Sequence, residues 1–301
     1  MPDGPVLGID IGGTKLAVGV VDLATHVTLS TLVAPTPAAQ GGGAVYQTII
    51  DLCRKLPELA RIEAIGVCFG GPVTRNRVMH SNHVPGWDNF SLAERLQADI
   101  APVPVRIVND ANAIAWLEWT QRAASGNLQS LFYMTVSTGI GGGLILGHRI
   151  IEGRSGMASE IGHLILEPDG PVCTCGSRGC LEALAAGPAI SHAYAQRTGH
   201  TLSARDIAEC ARDGDGAAQA VLEHSGRYVG RALAALNVLL DVDLVVIGGG
   251  VSRSGPVWWD AVEAQLKADT LPWSQPPALS PSTFGELEGV LAGAVATQNT
   301  L

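Results

Sequence analysis

Four side chains that commonly bind metals are grouped in one short segment, EIGHLILEPDGPVCTCGSRGCLEA, which spans residues 160–183. They are His163, Cys173, Cys175 and Cys180, with the spacing H-x9-C-x-C-x4-C. Three thiolates and one imidazole suit tetrahedral Zn²⁺ and leave no coordination position open, which is typical of a structural site. The alternative is a cluster of reduced cysteines that pack as small apolar side chains.

A carboxylate stands next to a glycine turn in DIGGTK, residues 10–15. Glycine lets backbone N–H groups approach a phosphate because no Cβ is in the way. Asp10 ends an apolar strand-like run, where a carboxylate is costly to bury unless it meets a cation or hydrogen-bond donors. Mg²⁺ carried by a nucleotide would be such a cation, held directly or through water. The alternative is an ordinary tight hairpin with a surface lysine, Lys15.

A second carboxylate lies in IVNDANA, residues 107–113, where a strand pattern changes to a helix pattern. Side chains at such carboxyl ends of strands face the ligand cleft in open α/β folds. At this junction, beside Asn109, the carboxylate of Asp110 would be placed to accept a proton from a bound ligand. The alternative is that Asp110 only caps the helix, which is a common role for aspartate.

Strand patterns alternate with helix patterns along the chain, which favours an α/β fold. A strand, a glycine turn and a second strand are predicted at 6–22 and again at 130–151, which indicates a weak internal repeat and two similar halves. Proline-rich stretches at 33–37 and 272–281 are predicted to be surface loops. The other predicted elements are a strand at 63–73, a strand-to-helix junction at 103–122, alanine-rich helices over 181–240, a strand at 243–252 and a closing helix at 285–298.

Composition argues against several classes of protein. The 301 residues are 47% hydrophobic and 16% charged, which allows a substantial core. A net charge of −9 without any run of Lys or Arg disfavours a nucleic-acid binder. Neither a membrane-spanning apolar run nor a signal peptide is present, so we expect a cytoplasmic protein with no membrane partner. A reducing compartment favours metal binding over disulfides for the clustered cysteines.

The order of the glycine motifs resembles that of a known family. DIGGTK, then STGIGGG (137–143) and VIGGGV (246–251), are similar to the nucleotide-binding elements of the actin-like ATPase fold. With NDANAIA, SGMASEIGH and CTCGSRGCLE, they resemble the bacterial ROK sugar kinases over essentially the whole chain. The resemblance implies an α/β protein of actin-like ATPase (ribonuclease H-like) fold, with a cleft between two similar α/β domains. We expect the small domain at 1–114 plus 287–301 and the large one, with the zinc segment, at 115–286.

The resemblance also implies roles for individual residues. Asp10 is expected to hold Mg²⁺ and Asp110 to act as the catalytic base. The residues expected to contact the phosphates of ATP are Gly12, Gly13, Thr14, Lys15, Thr138 and Gly139, with Gly248, Gly249 and Gly250 near the adenosine. The residues expected to contact the sugar are Gly71, Asn82, Asn109, Asp110, Glu160, His163 and Glu182. For Glu160 and Glu182 the alternative is that they are solvated charges at helix ends.

The implied activity is ATP-dependent phosphorylation of a hexose at the 6-hydroxyl, with glucose as the first choice. The alternative is an N-acetylmannosamine kinase or another ROK hexose or N-acetylhexosamine kinase. A sugar-responsive ROK regulator is disfavoured because the first strand begins by Val6 and leaves no room for a preceding helix-turn-helix. Retention of Asp10, Lys15 and Asp110 disfavours a catalytically silent sugar-binding module. The expected cofactors are ATP, Mg²⁺ and a structural Zn²⁺, and the expected assembly is a homodimer, with a tetramer as the alternative.

Overall fold

The structure is a computed structural model that describes residues 4–81, 84–123, 128–284 and 288–299. The chain divides into two compact units. Unit 1 comprises Met1–Gly126, Gly143–Ala158 and Glu286–Leu301, and unit 2 comprises Asn127–Gly142 and Ser159–Gly285. The predicted domain boundary after residue 114 falls inside the helix Asp110–Ala123, which lies wholly in unit 1. The functional domain boundaries stay a prediction.

Strands and helices alternate through the described chain. The strands are β1 (Pro5–Ile11), β2 (Lys15–Asp22), β3 (Val27–Pro35), β4 (Ala64–Phe69), β5 (Val73–Thr74), β6 (Arg77–Val78), β7 (Val105–Asn109), β8 (Ser130–Val136), β9 (Ile140–Leu146), β10 (Arg149–Ile150), β11 (Leu244–Gly248) and β12 (Ala278–Pro281). The α-helices are α1 (Gly42–Cys53), α2 (Leu92–Asp99), α3 (Asp110–Ala123), α4 (Leu181–Ala185), α5 (Gly187–Thr198), α6 (Ala204–Arg212), α7 (Gly216–Leu240), α8 (Pro256–Asp269) and α9 (Gly289–Ala296). Short 3₁₀ helices cover Ala38–Gln40, Leu59–Arg61, Ile161–His163 and Val251–Arg253.

The sheet of unit 1 has the strand order β3-β2-β1-β4-β7. β1 and β2 form the predicted antiparallel hairpin, and β4 runs parallel to both β1 and β7. Asp10 pairs with Cys68, and Cys68 pairs with Val108, so the carboxyl ends of these three strands meet at one edge of the sheet. β4 is buried along its whole length, as expected for a parallel strand that is covered on both faces.

The closing helix α9 packs directly on the backbone of this sheet. A Cβ on Gly8 would lie 2.1 Å from the carbonyl oxygen of Val290, and one on Gly66 would lie 1.9 Å from that of Gly293. Both distances are shorter than any real Cβ contact, so these strand positions must be glycine for the helix to lie this close. Every residue of α9 is buried, which explains its uniformly apolar sequence.

The second sheet repeats the strand order of the first. Its order is β10-β9-β8-β11-β12, and β11 runs parallel to β8 and to β12. In each sheet three successive strands lie side by side, and two later parallel strands extend the sheet beyond the first of them. The predicted internal repeat is confirmed. The boundary between the units falls within β9, after Gly142.

Helices α4 to α8 belong to unit 2. The longest, α7, begins at the side chain of Asp215, which accepts hydrogen bonds from the N–H groups of Ala217 and Ala218. It packs closely on α8 through Gly226 and Gly230, whose missing side chains leave room for the α8 backbone. No helix in the described ranges is both long and apolar enough to cross a membrane.

The prediction of surface loops at 33–37 and 272–281 is wrong in part. β3 extends to Pro35, and β12 consists of Ala278–Pro281. Both strands lie at edges of their sheets. Proline is tolerated at an edge because its missing N–H can face away from the neighbouring strand.

The close packing of α9 predicts a large difference between two glycine substitutions in unit 1. Gly66→Ala should lower the free energy of unfolding by about 2–3 kcal/mol, because its Cβ would overlap the backbone of α9. Gly43→Ala, in the first turn of α1, meets nothing within 4 Å and should be neutral or stabilising by up to about 1 kcal/mol. Urea unfolding of both variants measures the difference, and equal stabilities would contradict the packing described above.

Candidate active site

The carboxylate of Asp10 lies at the carboxyl end of β1 and is largely buried. Burial raises its pKa to about 6, the charge of Lys15 acts in the opposite direction, and the nearby charge of Asp110 raises the pKa further. Gly289, the first residue of α9, makes room for this carboxylate, since a Cβ there would lie 2.3 Å from Cγ of Asp10. An ionised group in these surroundings is unfavourable without a further cation. The buried carboxylate of Asp10 therefore fits the predicted role as a Mg²⁺ ligand.

The glycine turn after β1 is fixed by hydrogen bonds to its own backbone and to the end of β3. The N–H of Gly12 donates to the carbonyl oxygen of Lys15 at 3.0 Å, and the hydroxyl of Thr36 donates to the carbonyl oxygen of Gly12 at 2.7 Å. Gly12, Gly13 and Lys15 are partly exposed and Thr14 is exposed. The turn thus presents accessible backbone and one ammonium group beside Asp10.

Asn109 and Asp110 divide two roles between them at the β7–α3 junction. The side-chain oxygen of Asn109 accepts a hydrogen bond from the N–H of Asn112, three residues on, at 3.2 Å, which is the bond typical of a helix N-cap. The carboxylate of Asp110 accepts a hydrogen bond from the N–H of the next residue, Ala111, at 2.8 Å, which is not the typical N-cap bond. The side chain of Asp110 is exposed. The capping interpretation therefore describes Asn109 better than Asp110, and the Asp110 carboxylate lies close enough to Asp10 to affect its pKa.

Gly71 lies beside Asn109, which donates from Nδ2 to the carbonyl oxygen of Gly71 at 3.1 Å. The φ angle of Gly71 is 146°, and a Cβ there would lie 3.0 Å from the carbonyl oxygen of His80. The structure therefore brings Asp10, Asp110, Asn109 and Gly71 to one edge of the unit 1 sheet. The predicted sugar contact Asn82 lies outside the described residues.

The two glycine turns of unit 2 are neighbours. Thr138 is exposed and Gly139 partly exposed in the turn between β8 and β9. Gly249, just after β11, has a φ of 88°, and a Cβ on it would lie 2.4 Å from the carbonyl oxygen of Val136 at the end of β8. Gly248 and Gly250 flank it, with Gly250 exposed. Both turns thus lie at the carboxyl ends of the parallel strands β8 and β11.

The four predicted metal ligands, His163, Cys173, Cys175 and Cys180, converge in unit 2. Their ligand atoms all lie within 4.8 Å of one another. Sγ of Cys173 is 3.7 Å from Nδ1 of His163, and Sγ of Cys175 is 3.7 Å from Sγ of Cys180. With Zn–S bonds of about 2.3 Å, tetrahedral geometry separates two sulfur atoms by roughly 3.8 Å. The residues therefore fit Zn²⁺, and all four would hold it in a closed, structural site.

Glycine turns shape the loop that carries these cysteines. The N–H of Cys173 donates to the carbonyl oxygen of Ser177 at 2.7 Å. Gly179 has a φ of 71°, and a Cβ on it would lie 1.4 Å from the carbonyl oxygen of Glu167, so only glycine fits. Cys175 is exposed, and the pKa of its thiol is lowered to about 7, chiefly by the backbone N–H of Ser177. Deprotonation near neutral pH suits a metal ligand.

In the sequence, the two predicted sugar-binding glutamates flank the four predicted zinc ligands, called the metal-ligand cluster below. Glu182, in the first turn of α4, accepts hydrogen bonds from the N–H of Ile140 and the hydroxyl of Thr174, both at 3.0 Å. Glu160 precedes the 3₁₀ helix Ile161–His163, and its carbonyl oxygen accepts from the N–H of His163 at 3.0 Å. Glu160 is partly exposed and follows Ser159, whose φ of 71° is unusual for a residue other than glycine.

Three contributors to these sites were not predicted from the sequence. Ile140 and Thr174 hold Glu182, and Gly289 makes room for Asp10. Ile140 acts through its backbone, which no side-chain pattern reveals. Thr174 stands between two predicted metal ligands, so its place near them could be predicted. The residue that accepts its hydrogen bond could not. Gly289 is one of many glycines in the chain, and nothing local distinguishes it.

Two five-stranded sheets of the same strand order, each with a glycine turn after its first strand, make this a mixed α/β protein of the actin-like ATPase fold. The family model described as "ROK family" matches residues 6–298. The chain therefore belongs to the ROK family.

Similar proteins of the family carry different substrate names. An N-acetylmannosamine kinase from Vibrio vulnificus is 35% identical over 249 residues, which cover 82% of this chain and 83% of that protein. The crystal structure of a ROK hexokinase from Thermus thermophilus has a TM-score of 0.84 at 37% identity and 97% coverage of both chains. A ROK family glucokinase from Streptomyces griseus, in complex with glucose and AMPPNP, has a TM-score of 0.80 at 30% identity, covering 97% of this chain and 98% of that one.

The environment of Asp10 predicts that Asp10→Asn stabilises the ligand-free protein at neutral pH. The pKa in the folded state, about 6, is higher than the ordinary value of 3.8, so the folded state binds the proton more tightly than the unfolded state. Stability is therefore lost as the pH rises between these two values, by roughly 2–3 kcal/mol. The asparagine side chain does not ionise, so the variant does not lose stability in this way. Urea unfolding in EDTA should give similar stabilities near pH 4 and a more stable variant above about pH 7.

The control for this measurement is Asp213→Asn, which removes a carboxylate from an exposed turn of unit 2. A stability difference between Asp10→Asn and wild type that stays constant across the same pH range would contradict the described surroundings of Asp10.

The metal-ligand cluster predicts about one zinc ion per chain in protein purified without chelator. Cys175→Ala should lower the zinc content and lower Tm by about 5 °C or more, because a bound ion would tie the loop of Cys173–Cys180 to the 3₁₀ helix of His163. Elemental analysis and thermal unfolding measure the two effects. Cys210→Ala, outside the cluster, is the matched control and should keep its zinc. Little zinc in a wild-type protein of unchanged Tm would mean that the cysteines only pack in the core.

Proposed function

We propose that this protein is an ATP-dependent sugar kinase that phosphorylates the 6-hydroxyl of a hexose, with glucose as the first choice. The observation that carries the proposal is the pair of carboxylates at the strand ends of unit 1. Asp110 is exposed at the start of α3, and Asp10 is largely buried nearby, with Lys15 also close enough to affect its pKa. A hydroxyl nucleophile needs a proton acceptor, and a nucleotide needs a cation site, which these residues would supply.

In the proposed reaction Asp110 acts as the general base. The hydroxyl oxygen of the sugar forms a bond to the γ-phosphorus of ATP while its proton passes to the carboxylate of Asp110. The bond between the γ-phosphorus and its bridging oxygen breaks, and ADP leaves with that oxygen. Asn109 supports the geometry, because it caps α3 and holds Gly71 through a second hydrogen bond. The proton acceptor therefore sits at a rigid helix start, which suits precise orientation of the nucleophile.

Phosphate binding is assigned to the glycine turns and to Lys15. Mg²⁺ bound with the nucleotide would supply positive charge to the phosphates, and Asp10 would hold it directly or through water. Lys15 would contribute a mobile point charge to the phosphate oxygens. Gly12, Gly13, Thr14, Thr138 and Gly139 would add backbone or hydroxyl donors, and Gly248, Gly249 and Gly250 would leave room for the adenosine. The pKa of the buried Asp10 carboxylate is raised, and a bound cation would favour its charged form.

Sugar binding is assigned to Glu160, His163 and Glu182 together with Gly71, Asn82 and Asn109. Nδ1 of His163 faces Cys173, so Nε2 lies on the opposite side of the ring and would be available to a sugar hydroxyl while Nδ1 binds zinc. The carboxylates would accept hydrogen bonds from hydroxyl donors. In this proposal zinc takes no part in the chemistry and holds the segment that carries these residues.

The second candidate substrate is N-acetylmannosamine. Its support is the similarity to the N-acetylmannosamine kinase from Vibrio vulnificus, at 35% identity, which is comparable with 37% for the Thermus thermophilus ROK hexokinase and 30% for the Streptomyces griseus glucokinase. Glucose stays the first choice because of Glu160 in SEIGH: by the family resemblance, some N-acetylmannosamine kinases depart from this acid, although GPVCTCGSRGC also looks close to those enzymes. The cytoplasmic location and the homodimer stay predictions.

The test is a coupled assay of ADP release with Mg-ATP and a panel of hexoses and N-acetylhexosamines. We expect glucose to give the highest kcat/KM. Asp110→Asn should lower kcat by about 100- to 10,000-fold with a smaller change in KM, because the variant keeps its hydrogen-bonding shape but loses the proton acceptor. Asp213→Asn, in an exposed turn, is the matched control.

Two outcomes would change the proposal. Absence of sugar-dependent ADP release with every compound would overturn the kinase assignment. A higher kcat/KM for N-acetylmannosamine than for glucose would leave the kinase assignment intact and make N-acetylmannosamine the proposed substrate.

A further inference from the structure

The carboxylate of Glu182 is held on both oxygens by donors from different parts of unit 2. Oε2 accepts from the backbone N–H of Ile140, the first residue of β9, at 3.0 Å. Oε1 accepts from the hydroxyl of Thr174, in the cysteine loop, at 3.0 Å. Hydrogen bonds to both oxygens restrict rotation of the carboxylate about its terminal bond and so limit the directions of its remaining lone pairs.

The second donor, the hydroxyl of Thr174, lies within the segment that carries the predicted zinc ligands. Thr174 stands between Cys173 and Cys175, and the ligand atoms of both neighbours belong to the metal-ligand cluster. The hydroxyl has a single proton, and its acceptor is Glu182 at 3.0 Å rather than Sγ of Cys173 at 3.9 Å. Ligands on both sides of Thr174 would restrict its backbone, so its hydroxyl has a defined position from which to donate.

The donor from the β8–β9 turn requires a glycine. A Cβ on Gly139 would lie 2.6 Å from Oε2 of Glu182, closer than any real Cβ contact. Any larger residue at 139 would therefore move the carboxylate away from the N–H of Ile140. This gives Gly139 a role in placing Glu182, besides the phosphate contact proposed for it.

We propose that Thr174 is a positioning residue for sugar recognition, acting through Glu182. This inference rests on the proposed function, in which Glu182 binds sugar hydroxyls. An ionised carboxylate has about four lone-pair sites. Ile140 and Thr174 occupy two of them at 3.0 Å, and Sγ of Cys173 makes a longer contact with Oε1 at 3.9 Å. The remaining acceptor capacity suits hydroxyl donors of a sugar. Without the threonine hydroxyl, Oε1 keeps only the long contact with Cys173, and the carboxylate is held less firmly.

The test compares Thr174→Val, which keeps the shape but removes the hydroxyl, with Thr174→Ser, which keeps the hydroxyl. Thr174→Val should raise both KM and Kd for the sugar by about ten-fold, the typical effect of one hydrogen bond to a charged group. KM for ATP, the zinc content and Tm should stay close to wild type. Thr174→Ser should restore sugar binding to within about two-fold. Sugar Kd is measured by calorimetry without nucleotide, so the result does not depend on turnover.

A matched control is Thr201→Val, which makes the same chemical change in an exposed loop of unit 2 and should leave sugar affinity unchanged. A second arm repeats Thr174→Val in a Glu182→Gln background. If Thr174 acts through the carboxylate, its substitution should cost much less there than in wild type.

Several results would overturn the inference. Thr174→Val with wild-type sugar affinity and intact zinc would remove the role of the hydroxyl. Failure of serine to restore binding would assign the effect to shape, and an equal loss in the Glu182→Gln background would mean that Thr174 does not act through Glu182. Loss of zinc in Thr174→Val would make the effect structural. Absence of sugar turnover and sugar binding by the wild-type protein would instead overturn the proposed function, and this inference with it.

Discussion

The carboxylate of Asp10 is the charge on which the arrangement of unit 1 depends. It stands at the end of a buried strand, with the start of α9 on one side, Lys15 on another and a second carboxylate, Asp110, near enough to raise its pKa. Burial makes the ionised form unfavourable, and one lysine does not compensate for it, because the pKa stays at about 6. A residue that destabilises the ligand-free protein in this way is expected where a ligand supplies the missing charge.

The position of that carboxylate is set by backbone contacts. Gly8 and Gly66 let α9 lie against the strands, and Gly289 at the start of that helix leaves space for Asp10. The helix is apolar along its whole length, so its burial stabilises the unit while its first residue accommodates the charged group. Packing and site are therefore coupled here, since a shift of α9 would move the wall against which Asp10 lies.

The local patterns that carry the two candidate sites could be predicted from the sequence, but the contacts that fix them could not. The glycine hairpins, the β7–α3 junction and the H-x9-C-x-C-x4-C spacing are local patterns, and the structure shows each of them as predicted. Contacts between distant positions were not predictable, such as the N–H of Ile140 on Glu182 or Gly289 against Asp10. They depend on how helices dock onto sheets, and a backbone N–H carries no sequence signature. The edge strand β12 was missed because the prolines within and before it suggested a loop, although edge positions tolerate proline.

The repeated strand order also shows two different ways of placing a carboxylate beside a glycine turn. In unit 1 the strand itself supplies Asp10, which is largely buried and has a raised pKa. In unit 2 the carboxylate comes from α4, because Glu182 reaches the turn between β8 and β9 and there meets two hydrogen-bond donors. The first carboxylate is only partly compensated by Lys15 and suits a cation, whereas the second accepts hydrogen bonds from the protein and suits a neutral ligand with hydroxyl donors. The same fold, used twice, thus gives two carboxylates with distinct electrostatic surroundings, and this difference supports the proposal that one binds the nucleotide cation and the other the sugar.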